Sequence, residues 1–398
     1  MTIKALLLDL DDTLLVNPVE TFTQQYIGLL NDFLSNALDI PDFIAPLMSS
    51  IKAVSTSLDP RTTNADVFYA ALMPQLPVDR ATFDVPVAEF YRTVYPRLQA
   101  ITRPRPDARP FVEWCLAQGY IVVVATNPFF PWMAIEQRLT WAGLPPDEVP
   151  FHLVTYLENM HYTKPHPHYY EEILTRVGVG PDEAVMVGDD WNNDILPAHQ
   201  AGLNTYWITD TPDAAALDVV DGVGSFADFV QAVQYGAWLD TPMPRPLAPG
   251  QIAPRLLGSL SAVLGVMADA PELVWAQACE DEWSALEIAR HFCAYERDLF
   301  RPRLDCIRQE ENPVLVDDNG SAGALAEWPD EGPAALAAFA AERLQTVEWL
   351  AGLDDAAWAR PAQFASGGTT SLLAEANFIA THDRLHLAHL RDLVARCG

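Results

Sequence analysis

Acidic residues follow two apolar runs of the chain, and the acidic residues after the first run could act on a phosphate ester. The run Ala5–Leu8 leads into Asp9, Leu10 and Asp11, which sets two carboxylates two residues apart at the end of a predicted strand. Because alternate residues of an extended segment point to the same side, Asp9 and Asp11 can reach one substrate. One carboxylate can attack phosphorus while the other protonates the leaving oxygen or activates water.

A second acidic strand end follows the apolar run 184–187. Gly188, which permits close backbone approach, comes before Asp189 and Asp190, and Asp194 follows shortly after. Neighbouring carboxylates favour a divalent cation, and Mg²⁺ suits hard oxygen ligands completed by water and a phosphate oxygen. We therefore expect both strand ends to contribute to one magnesium site.

Two further segments could hold the phosphate group. The run 122–125 leads into Thr126 and Asn127, which supply hydroxyl and backbone donors, and Lys164 supplies a positive charge. Each lies just after or between predicted strands. These residues predict a phosphate-binding site beside the carboxylates.

The order of predicted elements indicates a parallel sheet covered by helices. Short β-rich runs alternate with helical patterns, the runs being 5–8, 121–125, 153–155, 184–187 and 205–208. Residues 17–103 break the alternation, because helical patterns such as 22–38 and 65–73 continue without a strand. We interpret this segment as an inserted helical cap.

A proline-rich segment divides the chain. Prolines at 242, 244, 246, 249 and 254 exclude helix and favour an extended connector. Beyond it, four helical stretches with no convincing strand predict a four-helix bundle, roughly at 254–268, 283–309, 333–351 and 370–396. The predicted domains are 1–238 (core 1–16 and 104–238, cap 17–103), a linker at 239–254 and a bundle at 255–398.

Four motifs of the first half resemble those of the haloacid dehalogenase superfamily: DLDDTL at 9–14, VVVATN at 122–127, KPHP at 164–167 and GDDWNND at 188–194. The resemblance, which covers about residues 1–235, implies a Rossmann-like α/β fold with Asp9 as a nucleophile that forms an aspartyl-phosphate. It further implies Asp11 as general acid and base, Thr126, Asn127 and Lys164 as phosphate ligands, and Mg²⁺ held by Asp9, Asp189 and the backbone of Asp11. Asp194 would bind the ion through water or orient Lys164.

Asp11 distinguishes between branches of this superfamily. The dehalogenase branch lacks the second aspartate, because its reaction needs no acid for an alcohol leaving group. The presence of Asp11 therefore favours a phosphatase acting on a small phosphorylated metabolite. The alternative that the site only binds ligand stays open at this stage.

Histidines in the second half have the spacing of metal ligands. His382 and His386 are four residues apart, so both imidazoles emerge on one helix face, and His291 lies on another predicted helix. Histidines on amphipathic helices are more often partly buried polar residues than ligands, but a third histidine favours a divalent-metal site between facing helices.

The second half also resembles the DinB-like family of metal-binding four-helix bundles, through WSALEIARHF at 283–292 and HDRLH at 382–386, with coverage of about residues 255–396. The resemblance implies a site of His291, His382 and His386 that binds zinc or nickel and leaves a coordination position open. Some members are thiol-dependent transferases or isomerases. An alternative function is therefore thiol-dependent chemistry at the bundle, using a low-molecular-weight thiol, with the first domain as an accessory or binding module.

Composition limits the partners and the compartment. The net charge of −30 opposes association with nucleic acid or anionic lipid. The five cysteines form no CxxC pair, which favours a reducing, cytoplasmic setting. The N-terminal run has no basic region, no cleavage site and no apolar stretch long enough to span a bilayer, so secretion and membrane insertion are disfavoured.

Overall fold

The protein was analysed as a computed structural model, which describes residues 2–213, 216–241, 245–268, 270, 272–276, 283–316 and 325–397. The chain forms two compact units. The first, here called the α/β unit, contains Met1–Tyr169 and Pro181–Arg245, and the second, the helical unit, contains Tyr170–Gly180 and Pro246–Gly398. The domain boundaries predicted from the sequence stay a proposal.

A six-stranded parallel sheet forms the centre of the α/β unit, in the order β5-β4-β1-β6-β7-β8. The central strands β1 and β6 are fully buried because helices cover both faces, as the apolar runs predicted, whereas the edge strands β5 and β8 are half-buried. β8 was not predicted, since its Gly-Val-Gly sequence carries almost no β signal. The strands are β1 (Ala5–Leu8), β4 (Ile121–Val124), β5 (Leu153–Val154), β6 (Ala184–Gly188), β7 (Asn204–Ile208) and β8 (Gly222–Gly224).

The register of the sheet brings the predicted motifs together. In the central strand β1, Leu8 pairs with Val124 of β4 on one side and with Val187 of β6 on the other. The residues that follow these three strands therefore meet at one edge of the sheet, where ligands of parallel α/β sheets bind.

Helices pack around this sheet and form the cap. The cap helices lie between two two-residue strands, β2 (Leu15–Val16) and β3 (Arg103–Pro104), which pair antiparallel where the chain leaves and re-enters the sheet domain. The helices are α1 (Val19–Leu38), α2 (Ile44–Thr56), α3 (Asn64–Leu72) and α4 (Arg80–Thr93) in the cap, then α5 (Ala108–Ala117), α6 (Trp132–Trp141), α8 (Leu196–Ala201) and α9 (Phe226–Gly236). Helix α7 (Pro167–Val177) begins in the α/β unit and continues in the helical unit.

Long helices build the second unit, so the predicted fold class, a parallel α/β sheet followed by a helical bundle, is confirmed. A π-helical segment, Glu296–Phe300, joins α12 to α13 into one continuous stretch. The helices are α10 (Ile252–Ala268), α11 (Glu272–Ala276), α12 (Ala285–Tyr295), α13 (Arg301–Gln309), α14 (Gly332–Ala351), α15 (Asp355–Trp358) and α16 (Leu372–Cys397).

Two details of the second unit differ from the prediction. It contains a small three-stranded sheet of β9 (Val314–Leu315), β10 (Pro361–Phe364) and β11 (Thr369–Ser371), where no strand was expected. These strands are too short to show a period, and Pro361 and two glycines obscure them. Helix α10 begins at Ile252, inside the predicted linker, because a proline in the first turn of a helix loses no hydrogen bond.

One helix among the described residues, Pro249–Ala268, is long and apolar enough to cross a bilayer by length and composition. Over half of its most apolar window, 56%, is buried inside the protein. Its Leu260 and Val263 belong to the core of the helical unit. A buried core helix has this same composition, so the finding is weak evidence for a membrane span.

Candidate active site and metal centre

Three carboxylates and one lysine form the centre of the α/β site. Carboxylate oxygens of Asp9, Asp189 and Asp194 all lie within 4.8 Å of one another. The ammonium of Lys164 donates to Asp9 Oδ1 at 2.7 Å and to Asp194 Oδ1 at 2.5 Å. The structure thus brings together residues that are up to 185 positions apart in the chain (194 − 9).

The electrostatics of this cluster favour a bound cation. Burial raises the pKa of Asp9 well above its usual range, Lys164 opposes this, and the neighbouring carboxylates raise it further. Burial together with Asp194 raises the pKa of Asp189 to about 7. The positive charge of Lys164 cannot neutralise the negative charges of three carboxylates in a largely buried site. The carboxylate oxygens therefore fit a hard divalent cation.

Asp11 faces the same cleft but is held by different partners. Its Oδ1 accepts from Asn17 Nδ2 at 2.7 Å, and its Oδ2 forms an ion pair with the guanidinium of Arg138 in α6. The side chain of Asp11 therefore lies outside the three-carboxylate group. The predicted contribution of Asp11 to the magnesium site through its backbone stays a prediction.

Arg138 is a site residue that the sequence interpretation missed. It is 1% exposed, and it lines the cleft together with Asp9 and Asp11. Its Nε and Nη2 have no acceptor among the described residues. In sequence it looks like an ordinary charge on an amphipathic helix, and only its almost complete burial reveals the pairing with Asp11.

Short local contacts position the remaining residues. The backbone N–H of Lys164 donates to Asn127 Oδ1 at 3.2 Å, which ties together the two predicted phosphate-binding segments. The hydroxyl of Thr155 donates to the carbonyl oxygen of Thr126 at 2.7 Å and fixes that turn. A Cβ at Gly188 would overlap the Asp194 carboxylate, so this position requires glycine.

These residues line a cleft of about 570 Å³. All seven residues predicted to act in catalysis, phosphate binding or magnesium binding contribute to it, namely Asp9, Asp11, Thr126, Asn127, Lys164, Asp189 and Asp194. The cleft is large enough for a small phosphorylated molecule.

The three predicted histidine ligands also meet, inside the helical unit. Ring nitrogens of His291, His382 and His386 lie within 4.8 Å of one another, and Nε2 of His291 is 3.0 Å from Nε2 of His382. Burial lowers the pKa of His291 to about 2 and that of His386 to about 4. The imidazoles of His291 and His386 are therefore uncharged at neutral pH and can offer a nitrogen lone pair, as metal ligands must.

The parallel sheet with an acidic cleft at the carboxyl ends of its strands defines an α/β protein whose candidate active site lies at that edge of the sheet. The family model of haloacid dehalogenase-like hydrolases matches residues 3–202, half of the chain, and the chain belongs to this family. The expectation of a phosphohydrolase of this class is confirmed.

The model of the DinB superfamily matches residues 255–390, which confirms the fusion of the two domains. Hydrolases of the first family generally use Mg²⁺, and DinB-like domains bind metal ions.

Curated relatives match the first half of the chain. The chain is 25% identical over 206 residues to the pyrophosphatase PpaX of Anoxybacillus flavithermus, covering 52% of this chain and 83% of that protein. It is 27% identical over 210 residues to the pyrophosphatase PpaX of Bacillus cereus strain AH820, covering 52% and 82%.

Solved structures resemble each half separately. A predicted phosphoglycolate phosphatase from Haemophilus somnus is 23% identical with a TM-score of 0.38, covering 59% of this chain and 99% of that one. YfiT from Bacillus subtilis, which has an unusual four-helix bundle topology, is 16% identical with a TM-score of 0.34, covering 39% and 93%.

Proposed function

We propose that the α/β unit is a magnesium-dependent phosphatase that hydrolyses a small phosphorylated metabolite through an aspartyl-phosphate at Asp9. The observation that carries this proposal is the group of Asp9, Asp189 and Asp194 around Lys164, with Asp11 across the same cleft. The curated relatives carry the name pyrophosphatase, and their hydrolysis of a phosphate bond supports it.

The chemistry follows from the residues of the cleft. A carboxylate oxygen of Asp9 attacks phosphorus, and the bond from phosphorus to the ester oxygen breaks while Asp11 protonates the leaving alcohol. Water then attacks the aspartyl-phosphate and gives its proton to Asp11, which restores the Asp9 carboxylate and releases phosphate. Lys164 and the donors at Thr126 and Asn127 bind the phosphoryl oxygens.

The magnesium ion would be held by Asp9, Asp189 and Asp194. Bound there, it neutralises the repulsion between the anionic nucleophile and the anionic substrate. Hydrolysis of an aryl phosphate by the full chain, after chelation and then with added Mg²⁺, tests this proposal. Turnover that returns with Mg²⁺ supports it, and turnover that persists unchanged in the chelated protein contradicts it.

Arg138 is expected to act as a positioning residue for Asp11. Replacing Arg138 by Met removes the ion pair that orients the acid, so kcat/KM for an alkyl phosphate should fall about 100-fold. A nitrophenyl phosphate, whose leaving group needs no proton, should lose less than about tenfold. The two kcat/KM values, measured side by side, check this prediction.

The conservative variant separates positioning from folding. Arg138→Lys retains the charge and should restore part of the alkyl phosphate activity, but not all of it, because a flexible ammonium lacks the fixed planar geometry of the guanidinium. Equal losses for the alkyl and nitrophenyl esters in Arg138→Met would contradict a role through the general acid.

We propose that the helical unit holds a second metal centre, with His291, His382 and His386 as ligands to zinc or nickel. Three imidazoles whose ring nitrogens converge inside a helical bundle are typical of catalytic metal sites with an open position. A low-molecular-weight thiol as a ligand for that position stays a prediction from sequence, as does the cytoplasmic setting.

Replacing His382 by Ala should lower the affinity of the helical unit for zinc or nickel at least about 100-fold, because ligand loss costs more than loss of an outer-shell partner. Metal content after dialysis against a weak chelator, measured by mass spectrometry, checks this. His389→Ala is the matched control, since His389 lies one turn further along α16 and outside the three-histidine group. Equal metal content in both variants would contradict the assignment.

A further inference from the structure

The cap contains a cavity of about 290 Å³ whose lining is almost entirely apolar and aromatic. Its walls come from all four cap helices and include Leu30, Leu47, Phe68 and Phe83. Buried apolar side chains normally pack against one another without such a space. The polar side chains of the lining are four hydroxyls, those of Thr23, Tyr26, Tyr69 and Tyr91, and no charged side chain lines it. The hydroxyls of Tyr26 and Tyr91 bond to each other at 2.8 Å, so an occupant need not satisfy that pair.

The cavity adjoins the phosphate cleft. Phe129 and Phe130, which follow the Thr126-Asn127 turn, line both spaces. Helix α1 also runs from one to the other, because Glu20 and Thr21 line the cleft and Tyr26 and Leu30 line the cavity. The two spaces therefore share part of their walls, which places the cavity next to a phosphate bound at Asp9.

We propose that this cavity binds the hydrocarbon part of the substrate, so that the enzyme acts on phosphate monoesters with an apolar alkyl or aryl group. This inference rests on the proposed function of the Asp9 site. The lining offers no buried cation or carboxylate for a sugar or nucleotide, whereas each methylene buried there gains affinity from the hydrophobic effect.

The size of the cavity sets the expected length of that group. An apolar cavity of about 150 Å³ binds benzene, so this one has room for roughly eight to twelve carbon atoms. Met48 lies at the rim and is 46% exposed, so a longer chain can continue into solvent. The kcat/KM for alkyl phosphates should therefore rise with the length of the alkyl chain and then level off.

The test is a series of n-alkyl phosphates from ethyl to decyl, assayed with the full chain and Mg²⁺. We expect kcat/KM to rise about threefold per methylene, to about 80-fold between ethyl and hexyl, mainly through KM. In Leu47→Trp, which fills the cavity, the hexyl-to-ethyl ratio should fall close to one. Val85→Trp, an exposed cap residue with 71% exposure, is the matched control and should keep the wild-type ratio.

Calorimetric binding of the same esters to Asp9→Asn with Mg²⁺ gives a readout that needs no turnover. If every ester is hydrolysed with the same kcat/KM and bound with the same Kd, the inference is overturned while the phosphatase stands. If no ester is hydrolysed but Kd still falls with chain length, the cavity inference stands and the proposed phosphatase fails. A length dependence that Leu47→Trp and Val85→Trp retain equally would also overturn the inference, because the hydrocarbon would then bind elsewhere.

Discussion

Asp9→Asn is expected to lower kcat for any phosphate ester at least about 10⁴-fold, because an amide oxygen cannot serve as the nucleophile of a covalent mechanism. Asn has nearly the shape of Asp and can still accept from Lys164, which reaches Asp9 at 2.7 Å. The fold should therefore remain intact, and the variant should still bind substrate. Steady-state hydrolysis with Mg²⁺ measures the loss.

Asp39→Asn is the matched control for this change. It removes the same charge from the exposed end of α1, and Asn tolerates the positive φ of 54° at that position. Its kcat should equal that of the wild type. Residual activity in Asp9→Asn within about tenfold of the wild type, without deamidation back to Asp, would contradict the role of Asp9 as nucleophile.

The second large effect is expected in the helical unit, where Arg343 is fully buried between two carboxylates. It forms an ion pair with Glu296 and donates to both oxygens of Asp383, at 2.7 and 3.0 Å. Burial alone would raise the pKa of Asp383, but Arg343 holds it below its usual range. Arg343→Met leaves both carboxylates buried without a counter-charge, with the hydroxyls of Thr346 and Ser259 still donating to them. The free energy of unfolding should therefore fall by about 3–5 kcal/mol.

Hydrogen exchange in peptides of α12, α14 and α16 measures this loss where it occurs, in the presence of a chelator so that metal loss does not contribute. Arg308→Met is the control, because its partner Asp305 is exposed and the pair contributes less than about 1 kcal/mol. Equal exchange rates in the two variants would contradict the expected effect.

The stability of the helical unit should depend on pH with opposite signs in the wild type and in Arg343→Met. In the wild type, the depressed pKa of Asp383 contributes stability that is present above its unfolded value and is lost as the pH falls through the range below about 4. In Arg343→Met the unpaired carboxylates prefer their neutral form, so stability should rise as the pH falls from 7 towards 5.

The sequence was sufficient to predict the parts of the site that follow strands. Asp9 and Asp189 come directly after apolar runs that could only be buried strands, and parallel pairing then brings their ends together. Helical spacing likewise placed His382 and His386 on one face, and His291, the third histidine predicted from the sequence, lies beside them in the structure.

Contacts between charged residues that are far apart in the sequence could not be predicted in this way. The pairing of Arg138 with Asp11 spans 127 positions and that of Arg343 with Glu296 spans 47, and neither leaves a periodic signal. The cap cavity is also invisible in sequence, because the residues that line it have the same types as residues that fill a core. Burial of a charge and absence of packing are properties of the assembled structure.

The most direct test of Asp9 as the nucleophile is rapid acid quench of the full chain with Mg²⁺ and an aryl phosphate carrying labelled phosphorus, followed by peptide mapping. Acid-trapped label is expected on the peptide that contains Asp9, formed and lost at rates that support turnover, and no label is expected in Asp9→Asn. Magnesium-dependent turnover with no trapped label, or with label on another residue, would contradict this role of Asp9.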